Sequence, residues 1–233
     1  MALPSGRSQK ESNYLKKLHL WYGSPKSGKT TIASTFGDDD KNKVLFFPTE
    51  PGHKFQEIYK YQVEDSDPTK WEHFLDCAKE LITSEHDFKC LVIDTADNLW
   101  KMCSDYSNKK LGITHESEED FGKGWAAVKN EFEKPFKYLT AQGMGVIFIS
   151  HATTSAKDLG KRKINYTDST LPKGAKAIIH GLVDYIFYFG QDDDGNRYIK
   201  TKGDETMNAG DRSGLLPVMI PMNAVRLIEE LSR

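Results

Sequence analysis

An eight-residue run constrains this chain more than any other feature: Gly23-Ser24-Pro25-Lys26-Ser27-Gly28-Lys29-Thr30 follows the apolar stretch LHLWY (18–22) and precedes TTIASTF. It satisfies G-x-x-x-x-G-K-[ST] at every fixed position, between a strand-like and a helix-like segment. Glycines at both ends let the backbone curl so that successive N–H groups point inward at an anion, and the helix that follows adds the positive end of its dipole. A turn with no ligand gives no reason for a Lys-Thr pair at its end. The pattern therefore assigns Gly23, Ser24, Pro25, Lys26, Ser27, Gly28, Lys29, Thr30 and Thr31 to the phosphates of a nucleotide. Lys29 would reach the β- and γ-phosphates, the Thr30 hydroxyl would face Mg²⁺, and Thr31 the α-phosphate. ATP and Mg²⁺ are the expected cofactors.

Four more apolar runs read as strands: VLFFP (44–48), CLVID (90–94), GVIFIS (145–150) and VDYIFYF (183–189). Between them, Trp71, Leu75, Ala78 and Ile82 recur at helical spacing. So do Phe121, Trp125, Val128, Phe132, Phe136 and Leu139, in a long helix that Pro135 is expected to kink or interrupt. Strands alternating with helices imply a mainly parallel sheet covered by helices on both faces. The turn Asp192-Asp193-Asp194-Gly195-Asn196 between VDYIFYF and RYIKTK adds an antiparallel edge hairpin near the C-terminus. A last helix is expected over 223–231. The acidic stretches HESEED (115–120) and GDDDKNK (37–43) read as solvated loops.

The 233 residues are read as one domain over 15–233 after a flexible tail, 1–14. With 32 basic and 34 acidic residues the net charge is −2, which excludes a polycation built to coat nucleic acid and leaves only local contact with it. Cys77, Cys90 and Cys103 have no metal-ligand spacing and read as buried thiols of a reducing, cytoplasmic compartment. There is no apolar run long enough for a membrane span and no signal-peptide centre, so no membrane partner is expected.

CLVID ends in Asp94, a carboxylate at a strand's carboxyl end and the expected Mg²⁺ partner. Hydrolysis also needs a base to orient the attacking water. Many ATPases carry a glutamate directly after that aspartate, where this chain has Thr95. Asp97 is a possible base or a helix N-cap. Glu50, following the second strand in VLFFPTEPG between Pro48, Pro51 and Gly52, is the better candidate.

In these residues the chain resembles the RecA-like core of strand-exchange ATPases, and more narrowly the phage-encoded RecA-type nucleotide-binding proteins of single-strand annealing and recombination. The matching pieces are LHLWYGSPKSGKTT, VLFFPTEPG, CLVIDTADNL, GVIFISHATTSAKD, LPKGAKAIIHGLVDYIFYFG and RYIKTKGDETMNAGDR, spanning most of 18–212. The resemblance implies a RecA-like P-loop fold with Glu50 as catalytic base and His151 as the polar sensor of the γ-phosphate. It places mobile DNA-contacting loops after the fourth strand. Residues 153–171 fit, with Lys157, Lys161, Arg162, Lys163 and the ring of Tyr166 as contacts to single-stranded DNA. It also implies a homo-oligomer, ring or filament, whose neighbouring subunit supplies a cation; Lys200, Lys202 and Arg212 are the candidates, the two lysines on one side of a strand.

The chain lacks an evident oligomerisation module or DNA-binding domain beside the core, so annealing or mediator work, with a single-strand-binding or annealing protein as partner, is expected rather than strand exchange alone. The leading expectation is an Mg²⁺-dependent ATPase on single-stranded DNA in phage recombination, annealing or replication, in the host cytoplasm. The alternative is a nucleotide-gated switch or assembly protein with little turnover. A small-molecule kinase is disfavoured, because the segment between the fourth and fifth strands offers only Arg162 for an arginine-rich lid.

Overall fold

A computed structural model describes residues 6–7, 11–37, 43–63, 65, 67–118, 122–158, 160 and 162–233. Most of the tail expected over 1–14, the acidic residues 38–42 and 119–120, Phe121 and Lys161 lie outside these residues.

Five strands build the centre: β1 (Leu18–Gly23), β2 (Lys43–Pro48), β4 (Phe88–Asp94), β5 (Gly145–Asp158) and β7 (Tyr185–Gln191). They lie in the order β7-β1-β5-β4-β2 with every neighbouring pair parallel. Short β3 (Tyr59–Lys60) adds to β2 in parallel. At the opposite edge, β8 (Arg197–Lys200) returns antiparallel along β7, and β10 (Met219–Pro221) along β8. β9 (Gly210–Asp211) also pairs antiparallel with β7. The expected α/β architecture, a mainly parallel sheet with an antiparallel edge, is what forms.

Both faces are covered because the strands are apolar on both faces and alternate between two cores. Leu20, Leu45, Leu91, Val146 and Phe148 pack beneath α2 (Trp71–Thr83), α3 (Ala96–Leu111), α4 (Lys123–Ala141) and α5 (Lys173–Leu182). Trp21, Phe46, Val92, Ile147 and Phe187 face α1 (Lys29–Ser34) and α6 (Ala224–Leu231). Asn223 caps α6 by accepting a hydrogen bond from the Arg226 amide. The three cysteines are free and buried, and burial pushes their thiols up. Among the described residues no helix is long and apolar enough to cross a membrane.

Four expectations are corrected. α4 runs through Pro135 without interruption, since Phe132 and Phe136 on either side are locked into the core. Trp125, expected in its buried stripe, is 40% exposed. Glu116, in the stretch read as solvated, is buried and accepts a hydrogen bond from Ser104. Residues 153–171 are largely a hairpin rather than mobile loops: β5 continues to Asp158, and β6 (Lys163–Ser169) returns antiparallel from Lys163↔Asp158 to Ser169↔Ala152. Thr153, Thr154, Ile164, Tyr166 and Thr167 favour extended backbone.

Candidate active site

The site forms where β1, β2, β4 and the sheet portion of β5 all end, the carboxyl edge of the parallel sheet. β1 stops at Gly23, where a Cβ would collide with the Phe189 carbonyl on β7. The chain then turns through Lys26 and Gly28, with φ of 63° and 100°, the second a conformation that suits glycine.

Lys29 turns back into this loop. Its Nζ donates to the carbonyls of Gly23 and Ser24 at 2.9 and 3.0 Å and to the Ser27 hydroxyl at 3.3 Å. Burial pulls its pKa down to about 8, against the pull of Asp94, Glu50 and Asp97 in the other direction. Thr30 donates from Oγ1 to Asp94 Oδ2 at 2.7 Å, joining the start of α1 to the end of β4. Ser24, Pro25 and Lys26 are exposed along the loop, and Thr31 beside it.

β2 and β4 are tied at the same level. Thr49 donates its hydroxyl to the Thr95 carbonyl and accepts from the Thr95 amide, both at 2.8 Å, which fixes the turn carrying Glu50 against the turn after Asp94. Glu50 Oε1 lies 3.7 Å from His151 Nε2, and Asn98 Nδ2 reaches Glu50 Oε2 at 3.5 Å. Glu50 and His151, far apart in sequence, thus share one wall of a cleft of about 500 Å³ that also includes Lys29, Thr30 and Asp94. Asp97 does not share that wall. It is in the first turn of α3, where Thr95 is the N-cap, and its Oδ1 accepts from the Thr170 hydroxyl at 2.7 Å.

The donor set fits a small divalent cation. Thr30 and Asp94 offer oxygen only, and among the described residues no cluster of three His, Cys, Asp or Glu surrounds them. This suits Mg²⁺, which keeps its waters and takes phosphate oxygens rather than an all-protein cage.

Three residues at the cleft or behind its carboxylates carry no signal of their own in the sequence. His53 sits three residues past Glu50; its ring is 7% exposed, and its Nε2 faces Asp94 Oδ2 at 3.9 Å. Asn98 is legible only as part of the helical segment TADNL. Arg197 lines the cleft from β8, in the run RYIKTK, where the alternating lysines are the more visible pattern.

The remaining candidates are dispersed. Lys200 is ion-paired to Asp204 in its own chain. Arg212 pairs with Asp184 at 3.2 Å and donates to the Gly181 carbonyl at 3.3 Å. β8 ends at Lys200, so strand alternation does not extend to Lys202 as expected. On the hairpin, Lys157 Nζ lies 4.2 Å from the centroid of the Tyr166 ring, Arg162 pairs with Glu205, and Lys163 opposes Asp158.

Comparison with known families matches the family described as AAA domain to residues 16–213. No curated protein matches. A solved structure titled as the RadB recombinase is similar at 15% identity and a TM-score of 0.47, covering 79% of this chain and 80% of that one.

Proposed function

The chain belongs to the AAA domain family, and from that premise we propose that it is an Mg²⁺-dependent ATPase of RecA-like type that acts on single-stranded DNA in recombination, annealing or replication. The observation that carries the reading is the hydrogen bond from Thr30 to Asp94 beside the buried Lys29, facing Glu50 across one cleft. In this reading Lys29 exchanges the carbonyls of Gly23 and Ser24 for phosphate oxygens. The loop's N–H groups hold the phosphate chain still, so positioning and charge stabilisation supply most of the rate.

Mg²⁺, held by Thr30 and Asp94, would neutralise charge on the phosphates when bound. Glu50 accepts a proton as the water oxygen bonds to the γ-phosphorus and the bond to the ADP oxygen breaks. Asn98 and His151 lie beside the Glu50 carboxylate, and His151 stands where a γ-phosphate would be felt. The β5–β6 hairpin contributes DNA contacts through Lys157, Arg162, Lys163 and Tyr166, with Lys161 of the same sequence stretch as a further contact, and β5 joins the hairpin to His151 directly. Assembly into a ring or filament, with Lys202 the freest of the three proposed trans-acting cations, belongs to the same reading, as does a phage origin with an annealing or single-strand-binding partner.

The test is ATP turnover with and without an oligo-dT strand at two salt concentrations. Turnover that the strand raises, more at low salt, is expected. Tight ATP binding with no turnover in either condition assigns the chain to a nucleotide-gated switch instead. Absence of ATP binding removes both readings.

A further inference from the structure

We propose that Arg197 binds the phosphates of the nucleotide, and that the chain supplying the phosphate loop supplies this arginine too. The inference rests on the nucleotide reading above and adds a residue to that same site. β8 begins at Arg197 and lies beside β7, which lies beside β1, so strand pairing carries its side chain back to the loop at the end of β1. Its Nη1 comes within 3.6 Å of where a Cβ on Gly28 would sit, at the point where the loop becomes α1.

Its bonding sets it apart from the other four arginines that lie beyond the phosphate loop in sequence. Arg162 is paired with Glu205, Arg212 with Asp184, Arg226 with Glu229 and Glu230, and Arg233 with Glu230. Arg197 makes no ion pair and no side-chain hydrogen bond among the described residues, although Asp192, Asp193 and Asp194 lie in the turn just before it. The Asp192 carboxylate is instead occupied by the turn, accepting from the amides of Asp194 and Asn196.

A planar guanidinium with its donors unused, beside the phosphate loop, matches the paired oxygens of a phosphate better than an ammonium does. Lys29, with the exposed Lys26 at the rim, faces the charges of Glu50 and Asp94 in this cleft, and a triphosphate adds more negative charge. Lys200 and Arg212 are both held by carboxylates of their own chain. Arg197 therefore adds a forked cation to the loop's two lysines without a neighbour, and ATP affinity need not depend on assembly.

The test compares wild type, Arg197→Ala and Arg197→Lys for binding of a fluorescent ATP analogue with Mg²⁺, with thermal melts of each protein alone. Arg197→Ala is expected to weaken binding at least tenfold while melting as wild type does, and Arg197→Lys to recover part of that. Equal affinity of wild type and Arg197→Ala overturns the proposal and leaves the nucleotide reading standing. If the wild type binds no ATP, that reading fails and takes the proposal with it. Should Arg197→Ala melt early, the comparison passes to Arg197→Lys, for which wild-type affinity and unchanged melting overturn the forked contact. Mixing Arg197→Ala with Lys29→Ala decides which chain donates. No recovery of binding or turnover is expected, whereas recovery shows the arginine acting on a neighbour's loop.

Discussion

β5 is two strands in one. From Gly145 to Ser150 it is buried between β1 and β4, whereas from Ala152 to Asp158 it leaves the sheet and its only strand partner among the described residues is β6. The inner half is held by packing on two faces and cannot move without disturbing the core. The outer half is held by one hydrogen-bonded ladder and by contacts such as Lys157 over Tyr166 and Thr154 to Thr167, which release at modest cost. His151 sits at the boundary, within reach of Glu50. A rigid strand that ends at the proposed nucleotide cleft and continues as a polar arm can carry the state of one into the other.

The sharpest way to break this contrast is to alter chemistry at the inner end alone. Glu50→Gln keeps the shape of the side chain and its contact with Asn98 but removes the proton acceptor. Loss of a general base is expected to lower ATP turnover by about 10²–10⁴-fold, with ATP affinity and hairpin behaviour unchanged. Single-turnover assays beside equilibrium binding read both quantities. Undiminished turnover in this variant moves the base elsewhere.

The reverse experiment acts on the arm. Replacing Lys157, Arg162 and Lys163 together with alanine should leave ATP binding intact and weaken binding of single-stranded DNA. The slope of log affinity against log salt should become shallower by roughly 0.7 for each DNA phosphate that the arm no longer neutralises. Titrations with oligo-dT at three salt concentrations measure it. An unchanged slope means that the arm does not touch phosphates.

A smaller effect is expected from the joint between the halves. The Thr170 hydroxyl donates to Asp97 Oδ1 at 2.7 Å, and its amide donates to the His151 carbonyl at 2.9 Å, so the base of the hairpin is fastened to α3. Thr170→Val keeps the shape and the amide contact but leaves Asp97 without that donor. The ratio of DNA-stimulated to basal turnover should fall severalfold while basal turnover stays near wild type. An unaltered ratio shows that coupling does not pass through this bond.

How much of the molecule is legible in its sequence follows the same divide. Gly23 to Thr30 is legible because phosphate chemistry demands particular residues at fixed spacing. Asp94 and Glu50 are legible because each follows an apolar run. The hairpin looks like a loop in sequence because period-two alternation only shows when one face is buried, and residues 154–158 are exposed on both faces. Arg197 reaches the cleft, and Asn98 and His53 reach its carboxylates, through pairings between strands and turns, and local pattern carries no trace of those. Glu116 looks like any other carboxylate in an acidic stretch, since what buries it is the packing of α3 and α4.

β1, the parallel neighbour of the inner half of β5, carries a buried titratable group. His19 pairs in register with Ile147 and is enclosed by the rings of Trp21, Phe36, Tyr185 and Phe187, at centroid distances of 5.0–5.9 Å. Burial lowers its pKa to about 3 from an ordinary value near 6.5, so the folded chain keeps the imidazole neutral while the unfolded chain protonates it. Between those two values the unfolded state binds the extra proton. The stability that this contributes is complete above pH 6.5 and is lost as the pH falls toward 3, by at most about 1.4 kcal/mol per pH unit. His19→Phe fits the same aromatic surroundings and cannot take up that proton. The gap between its urea midpoints at about pH 7.5 and about pH 5 should therefore be smaller than the wild-type gap, with the carboxylates that also titrate in acid common to both proteins. If the two gaps are equal, His19 is as readily protonated in the fold as out of it, and water must reach β1 beside the inner half of β5 as it reaches the arm.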